Sequence, residues 1–137
     1  MAAVNKTYSE LFTFINVATK WLKDNKDESK LRYAVKKVMK SCDKLITSYQ
    51  EKVEDLNIEH CSEDENGIIR KDAQGGFQFT KDNLRKRNAA MRKLQDEKVE
   101  VPSFFADHKD DLSDSEVEAF TGFVIEPAPV VIAAVKE

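Results

Sequence analysis

Residues 28–62 are the most restrictive part of the sequence, because they contain neither glycine nor proline and repeat apolar side chains in a regular pattern. The apolar side chains recur at alternating four- and three-residue steps, which is typical of a long helix with one continuous apolar seam. The seam residues are Leu31, Val35, Val38, Cys42, Leu45, Tyr49 and Leu56. A single helix over this segment would be about 50 Å long at 1.5 Å per residue.

A shorter helix is predicted before the seam. Thr7 and Glu10 have the spacing of a capping box, and apolar residues then recur on one helical face. Phe14 and Trp21 lie off that face, so we expect this helix to be sandwiched between two surfaces or to touch another chain. Because this helix is shorter than the seam, a third helix or a neighbouring subunit must cover the rest of the seam.

The segment after the seam contains turn signals and short apolar runs. Asn66-Gly67 predicts a turn that ends the long helix. β-branched and aromatic residues on either side of a glycine-containing turn predict a small β-hairpin over about residues 68–79. A third helix is expected over about residues 81–98, followed by a short strand at 99–101. We find no internal repeat.

Residues 102–137 are predicted to form a C-terminal arm. A second capping box, at Ser113 and Glu116, opens a short helix over about residues 114–121. Two apolar runs hinged on prolines follow, and runs of this kind aggregate when they are exposed. We therefore expect the arm to dock on another subunit. Its interface residues are Phe123, Val124, Ile125, Val130, Val131 and Ile132.

These patterns together predict a mainly α fold. It consists of a long antiparallel helical hairpin with a third helix, a small β-hairpin and an extended C-terminal arm. The helical domain with its inserted β-hairpin covers residues 1–101, and the arm covers residues 102–137. Only four glycines and three prolines occur in 137 residues, which argues against an all-β fold rich in turns.

The charges are segregated along a chain with a formal net charge of -3. Basic residues gather in the first half of the long helix and at the start of the third helix. The candidate phosphate contacts are Lys36, Lys37, Lys40, Arg85, Arg87 and Arg92. The alternative is that these are solvated faces that pair weakly with acidic segments. The second interpretation is favoured, because nucleic-acid-binding domains usually have a basic overall balance.

The sequence contains no recognisable catalytic or metal-binding motif. Its two histidines and two cysteines lack the paired short spacings of a zinc site, and no phosphate-binding glycine pattern occurs. No serine or cysteine lies in a nucleophile motif. We therefore expect no catalytic residues, no cofactor and no bound metal, and we predict that the protein is not an enzyme.

Membrane insertion and secretion are not expected. No apolar run approaches the roughly 18 residues that span a bilayer, and the first residues lack the layout of a signal peptide. Two cysteines are too few for a disulfide framework. These features predict an intracellular protein.

The order of these parts resembles that of small proteins encoded by tailed bacteriophages. In them a long helix ends in an acidic turn, a short hairpin with an aromatic residue follows, and a second helix runs into a strand ending at proline. The matching residues here are Asp64, Glu65, Asn66 and Gly67, then Phe77 and Phe79, then 80–97, and finally 99–102. The resemblance covers about the middle and C-terminal two-thirds of the chain. It implies a role in the virion or in its assembly, and carries over no catalytic residues.

The function expected from the sequence is that of a structural or interaction protein. We expect a bacteriophage virion component, located in the virion or in the host cytoplasm, that assembles with other subunits through its seam and its arm. Two alternatives stay open. One is a nucleic-acid-binding accessory that uses the basic helix faces, and the other is a transient assembly chaperone or regulator.

Overall fold

Helices dominate the structure, a computed structural model that describes residues 2–108 and 111–127. The elements are β1 (Ala2–Thr7), α1 (Tyr8–Asp24), α2 (Lys30–Ser41), α3 (Asp43–His60), α4 (Lys81–Gln95), β2 (Lys98–Ser103) and α5 (Asp114–Phe120). The predicted mainly α class is confirmed. The helices are accompanied by a small two-stranded antiparallel sheet.

Helix α1 begins at the capping box that the sequence predicts. The Glu10 N–H donates to Thr7 Oγ1 at 3.1 Å, and the Thr7 N–H donates to Glu10 Oε1 at 2.9 Å. These bonds satisfy backbone donors that have no partner inside the helix. The hydrogen bond from the Thr7 N–H lowers the pKa of the Glu10 carboxyl, and the nearby Lys6 charge acts in the same direction.

The two strands join the beginning of the chain to the segment after α4. They pair antiparallel, with Val4 opposite Val101 and Thr7 opposite Lys98. The sequence predicts a strand at 99–101, and the structure extends it to Lys98–Ser103. Strand β1 is not predicted, because residues 2–7 carry too short a pattern to be recognised without the distant strand that pairs with them.

The long helix predicted over residues 28–62 is divided at Cys42. The Cys42 N–H contacts the carbonyl oxygens of both Val38 and Met39 at 3.1 Å, which tightens the backbone locally. Helix α2 packs against α1 and β2, whereas α3 packs mainly against α4. The chain therefore changes partners at Cys42, and a straight rod would not make both sets of contacts.

Helix α1 packs on two sides within the chain, which is one of the two alternatives left by the sequence, and Phe14 and Trp21 lie on its buried face. On one side, Phe14 stacks on Phe123 with ring centroids 4.3 Å apart and meets the edge of Phe120 at 5.7 Å. Trp21 contacts the edge of Phe120 at 5.8 Å. On another side, the Tyr49 ring lies 4.7 Å from the Phe12 ring. The second apolar side of α1 is thus covered by the chain itself.

The segment that follows α5 is part of the core and is not a docking arm. Phe123 and Val124 are fully buried and Ile125 is nearly so. Two of their carbonyl oxygens also accept hydrogen bonds within the chain. The Phe104 N–H donates to Phe123 O and the Ala106 N–H donates to Val124 O, both at 2.9 Å. The prediction that these three side chains form a subunit interface is therefore corrected.

The remaining predicted arm residues, Val130, Val131 and Ile132, lie outside the described residues. The predicted domain boundary between residues 101 and 102 falls inside β2. Buried side chains on both sides of it belong to the same hydrophobic cluster.

Replacing Phe123 by alanine tests whether this residue belongs to the core of a single chain. We expect Phe123→Ala to lower the free energy of unfolding by about 3–5 kcal/mol, because a large buried ring is lost. Urea unfolding followed by circular dichroism measures this loss at two protein concentrations. Gln50→Ala, at an exposed position of α3, is the control and is expected to change stability by less than about 0.5 kcal/mol. A loss for Phe123→Ala that appears only at high protein concentration would contradict the assignment.

Candidate functional site

Helices α3 and α4 pack side by side and connect at one end to the core. The Arg87 Nε–H donates to Asn57 Oδ1 at 2.8 Å. Nearer the core, Lys52 Nζ lies 3.0 Å from Glu97 Oε1, and the Tyr8 N–H donates to Glu97 O at 3.2 Å. Since later residues of α3 meet earlier residues of α4, the two helices run antiparallel.

The outer part of this helix pair lies beyond the hydrophobic core. The core and the side chains packed on it include Leu56 in α3 and Met91 in α4. No residue of 57–90, all of which the structure describes, belongs to that cluster. We call residues 57–90 the helical arm. It leaves Ile58, Ile68 and Leu84 with 45%, 63% and 41% of their surface exposed.

The end of the helical arm consists of two successive turns built in the same way. In the first, Asp64 Oδ1 accepts the N–H groups of Asn66 at 2.8 Å and Ile68 at 3.0 Å. In the second, Asp72 Oδ1 accepts the N–H groups two and four residues further on, at 2.9 and 2.8 Å. Each turn has a glycine with positive φ, Gly67 at +79° and Gly75 at +82°, where a glycine avoids the strain of a side chain.

Each turn is closed by one isolated antiparallel bridge, and the second bridge lies within the predicted β-hairpin over 68–79. Glu63 pairs with Ile69, and Lys71 pairs with Phe77. The second bridge therefore lies eight residues after the first. Residues 63–70 and 71–78 thus form two similar turns with Asp and Gly at matching positions.

The first turn is strongly acidic. Residues 58–68, which we call the acidic tip, contain four acidic side chains and neither lysine nor arginine. The backbone N–H groups of Ile68 and Asn66 lower the pKa of the Asp64 carboxyl, and Arg70 adds a favourable charge. The acidic tip therefore places negative charges beside the exposed side chains of Ile58 and Ile68.

A basic groove of about 690 Å³ lies along α2. Helix α2 carries five basic side chains and no acidic one. The residues that line the groove are Leu22, Glu28, Arg32, Tyr33, Lys36, Lys37, Met39 and Lys40. The groove thus combines positive charge with aromatic and aliphatic surface.

The Tyr33 ring stands exposed at the groove, with 58% of its surface accessible. It meets the Phe104 ring edge to face at 5.8 Å. The Lys37 ammonium lies 5.7 Å from the Tyr33 centroid and 5.4 Å from the Phe104 centroid, which is within the range of cation–π attraction. Arg32 joins α2 to the C-terminal end of α1, because its Nη1 donates to Leu22 O and Asn25 O at 2.9 and 2.5 Å.

The six candidate phosphate contacts do not form one surface. Lys36, Lys37 and Lys40 all line the groove. The other three lie on α4, where Arg87 is held by two asparagines and Arg85 Nη1 lies 3.7 Å from Asp82 Oδ1. Arg92 is exposed.

The predicted seam is covered by the chain itself. Its first four residues, Leu31, Val35, Val38 and Cys42, are buried in the core. Its last three, Leu45, Tyr49 and Leu56, are half-buried and pack against the core. The seam therefore does not require a neighbouring subunit, and coverage within the chain is one of the two alternatives that its length left open.

Among residues 2–108 and 111–127, no group of three or more His, Cys, Asp or Glu side chains is placed to hold a metal ion. No helix in that part of the chain is long and apolar enough to cross a bilayer. No protein-family model matches the chain, and neither a curated protein nor a solved structure matches it.

The two thiols are expected to differ in reactivity. Burial raises the pKa of the Cys42 thiol to about 11, and the neighbouring Asp43 charge adds to this effect, whereas Cys61 is half-buried at the end of α3. Because the thiolate is the reactive form, one thiol should react with a disulfide reagent at pH 8 in the folded protein. Cys61→Ser should remove that reaction. Two equally fast thiols in the folded wild-type protein would contradict the burial of Cys42.

Proposed function

We propose that this protein is a non-enzymatic structural and interaction protein, a virion component of a tailed bacteriophage, that assembles with other subunits through its helical arm. The observation that carries the proposal is the arm itself. Residues 57–90 are ordered into helices and turns although they contribute no side chain to the core.

The distribution of exposed apolar side chains supports a contact surface on the arm. In the part of the chain that the structure describes, four large hydrophobic side chains are exposed, and three of them lie in the helical arm. Those three are Ile58, Ile68 and Leu84. Single exposed apolar residues are common on protein surfaces, but their concentration on one projecting element is typical of an interaction surface.

The virion assignment is supported by the resemblance in the order of parts to small phage-encoded proteins. The acidic turn, Phe77 and Phe79, and the segment 99–102 are the features that resemble them. The non-enzymatic part is supported by the lack of a nucleophile or phosphate-binding motif in the sequence. We propose that the protein acts in the virion or in the host cytoplasm during assembly.

A triple variant tests the arm as the contact surface. We expect Ile58→Ser, Ile68→Ser and Leu84→Ser together to weaken association of the protein by about ten- to 100-fold, since three half-exposed apolar side chains are removed from the interface. Sedimentation velocity of the full chain over a range of concentrations measures association. Stability should change little, because these residues lie outside the core.

The matched control keeps the apolar character of the arm by combining Ile58→Val, Ile68→Val and Leu84→Met. This control should associate like the wild type. Equal association of the serine variant and the wild type, or a wild type that stays monomeric at all concentrations, contradicts the proposed function. Mass spectrometry of purified particles tests the virion assignment, since a transient chaperone would be found only outside finished particles.

A further inference from the structure

Two surfaces of this chain are complementary in charge and in apolar character. The acidic tip presents Glu63, Asp64 and Glu65 next to Ile68. The basic groove presents Lys36, Lys37 and Lys40 next to the apolar surfaces of Tyr33, Met39 and Leu22. Opposite charges that flank an apolar contact give an interface both affinity and orientation.

The two surfaces of one copy are separated along the chain by the full length of α3. Helix α3 follows α2 directly and carries the chain from Cys42 to the acidic tip. It has 18 residues, and is therefore about 27 Å long at 1.5 Å per residue. A helix of this length holds the acidic tip away from the groove.

We propose that the acidic tip of one copy docks in the basic groove of a second copy. The inference rests on the proposed function, and names both the partner of the helical arm and the surface that receives it. The Ile68 side chain packs against the apolar side of the groove, and the carboxylates of Glu63 and Glu65 approach Lys36 and Lys40. The groove lysines are available for this contact, because neither Lys36 nor Lys40 forms an ion pair with any described residue.

The geometry of this contact is head to tail. The acidic tip and the groove are different surfaces, so each copy uses one to bind forward and the other to bind backward. Heterologous contacts of this kind produce a ring if the rotation between copies closes, and a filament if it does not. Repetition of one chain in a ring or filament is compatible with a virion component.

A polyphosphate ligand fits the groove less well than the acidic tip of a second copy does. The chain has a net charge of -3, which opposes the approach of a nucleic acid over the whole surface. Glu28 at the groove adds a local repulsion toward phosphates. A compact turn with one apolar side chain uses the surfaces of Leu22 and Met39 as well as the lysines.

Charge reversal and its rescue test the proposal. Sedimentation velocity of the full chain is measured for three variants. The first combines Lys36→Glu and Lys40→Glu, the second combines Glu63→Lys and Glu65→Lys, and the third carries all four changes. Each double variant should weaken association by about tenfold or more, because like charges then face each other. The quadruple variant should regain association, since the pairs are restored with opposite sign. Wild-type association should also weaken as salt rises from about 50 to about 500 mM.

The control is Lys20→Glu with Lys23→Glu, which makes the same change in net charge at exposed positions on α1 that do not line the groove. It should associate like the wild type. Circular dichroism verifies that every variant is folded. A quadruple variant that stays as weak as the double variants overturns the proposal.

The outcomes also separate this proposal from the proposed function. If the arm serine variant loses association and the groove reversal does not, the arm is a contact surface whose partner site is elsewhere. If Lys36→Glu with Lys40→Glu abolishes binding to a single-stranded oligonucleotide while the wild type stays monomeric, the groove binds nucleic acid and both proposals fail.

Discussion

The stacking of Phe14 on Phe123 is the contact on which the rest of the structure depends. It joins the first helix to the segment after α5, with Phe120 and Trp21 at its edges. Aromatic rings of this size dominate the energetics of a small core. With the C-terminal segment in place, α1 is covered on both apolar sides, and the seam of α2 is covered by α1. The helical arm is the part of the described chain that this packing leaves out.

This packing changes the functional argument made from the sequence. The sequence leaves the seam to a third helix or a neighbouring subunit and assigns the run Phe123 to Ile125 to another subunit, yet both pack within the chain itself. The surface that remains for association is smaller and more polar. It comprises the end of the arm, with its exposed isoleucines and carboxylates, and the basic groove on α2. The segregation of charge along the sequence thus corresponds to two separate surfaces of the folded protein.

Features set by local contacts could be predicted from the sequence. The capping boxes at Thr7 and Ser113 and the strand residues 99–101 follow from residues close together in the chain. Features set by distant contacts could not. The division of the helix at Cys42, the pairing of β1 with β2 and the burial of Phe123 depend on partners far away in sequence. The repeated turns were detectable in the spacing of Asp64, Gly67, Asp72 and Gly75, but similar turns also occur without repetition.

Native-state hydrogen exchange of the dilute, monomeric full chain tests the central claim most directly, because it measures the stability of core and arm separately. The amides of α1 and of Phe123, Val124 and Ile125, which donate to Phe120 O, should exchange only through global unfolding. The amides of residues 57–90 should exchange through local opening at a lower free energy. A C-terminal segment that exchanges as fast as an unfolded chain, or an arm as protected as α1, would contradict the account.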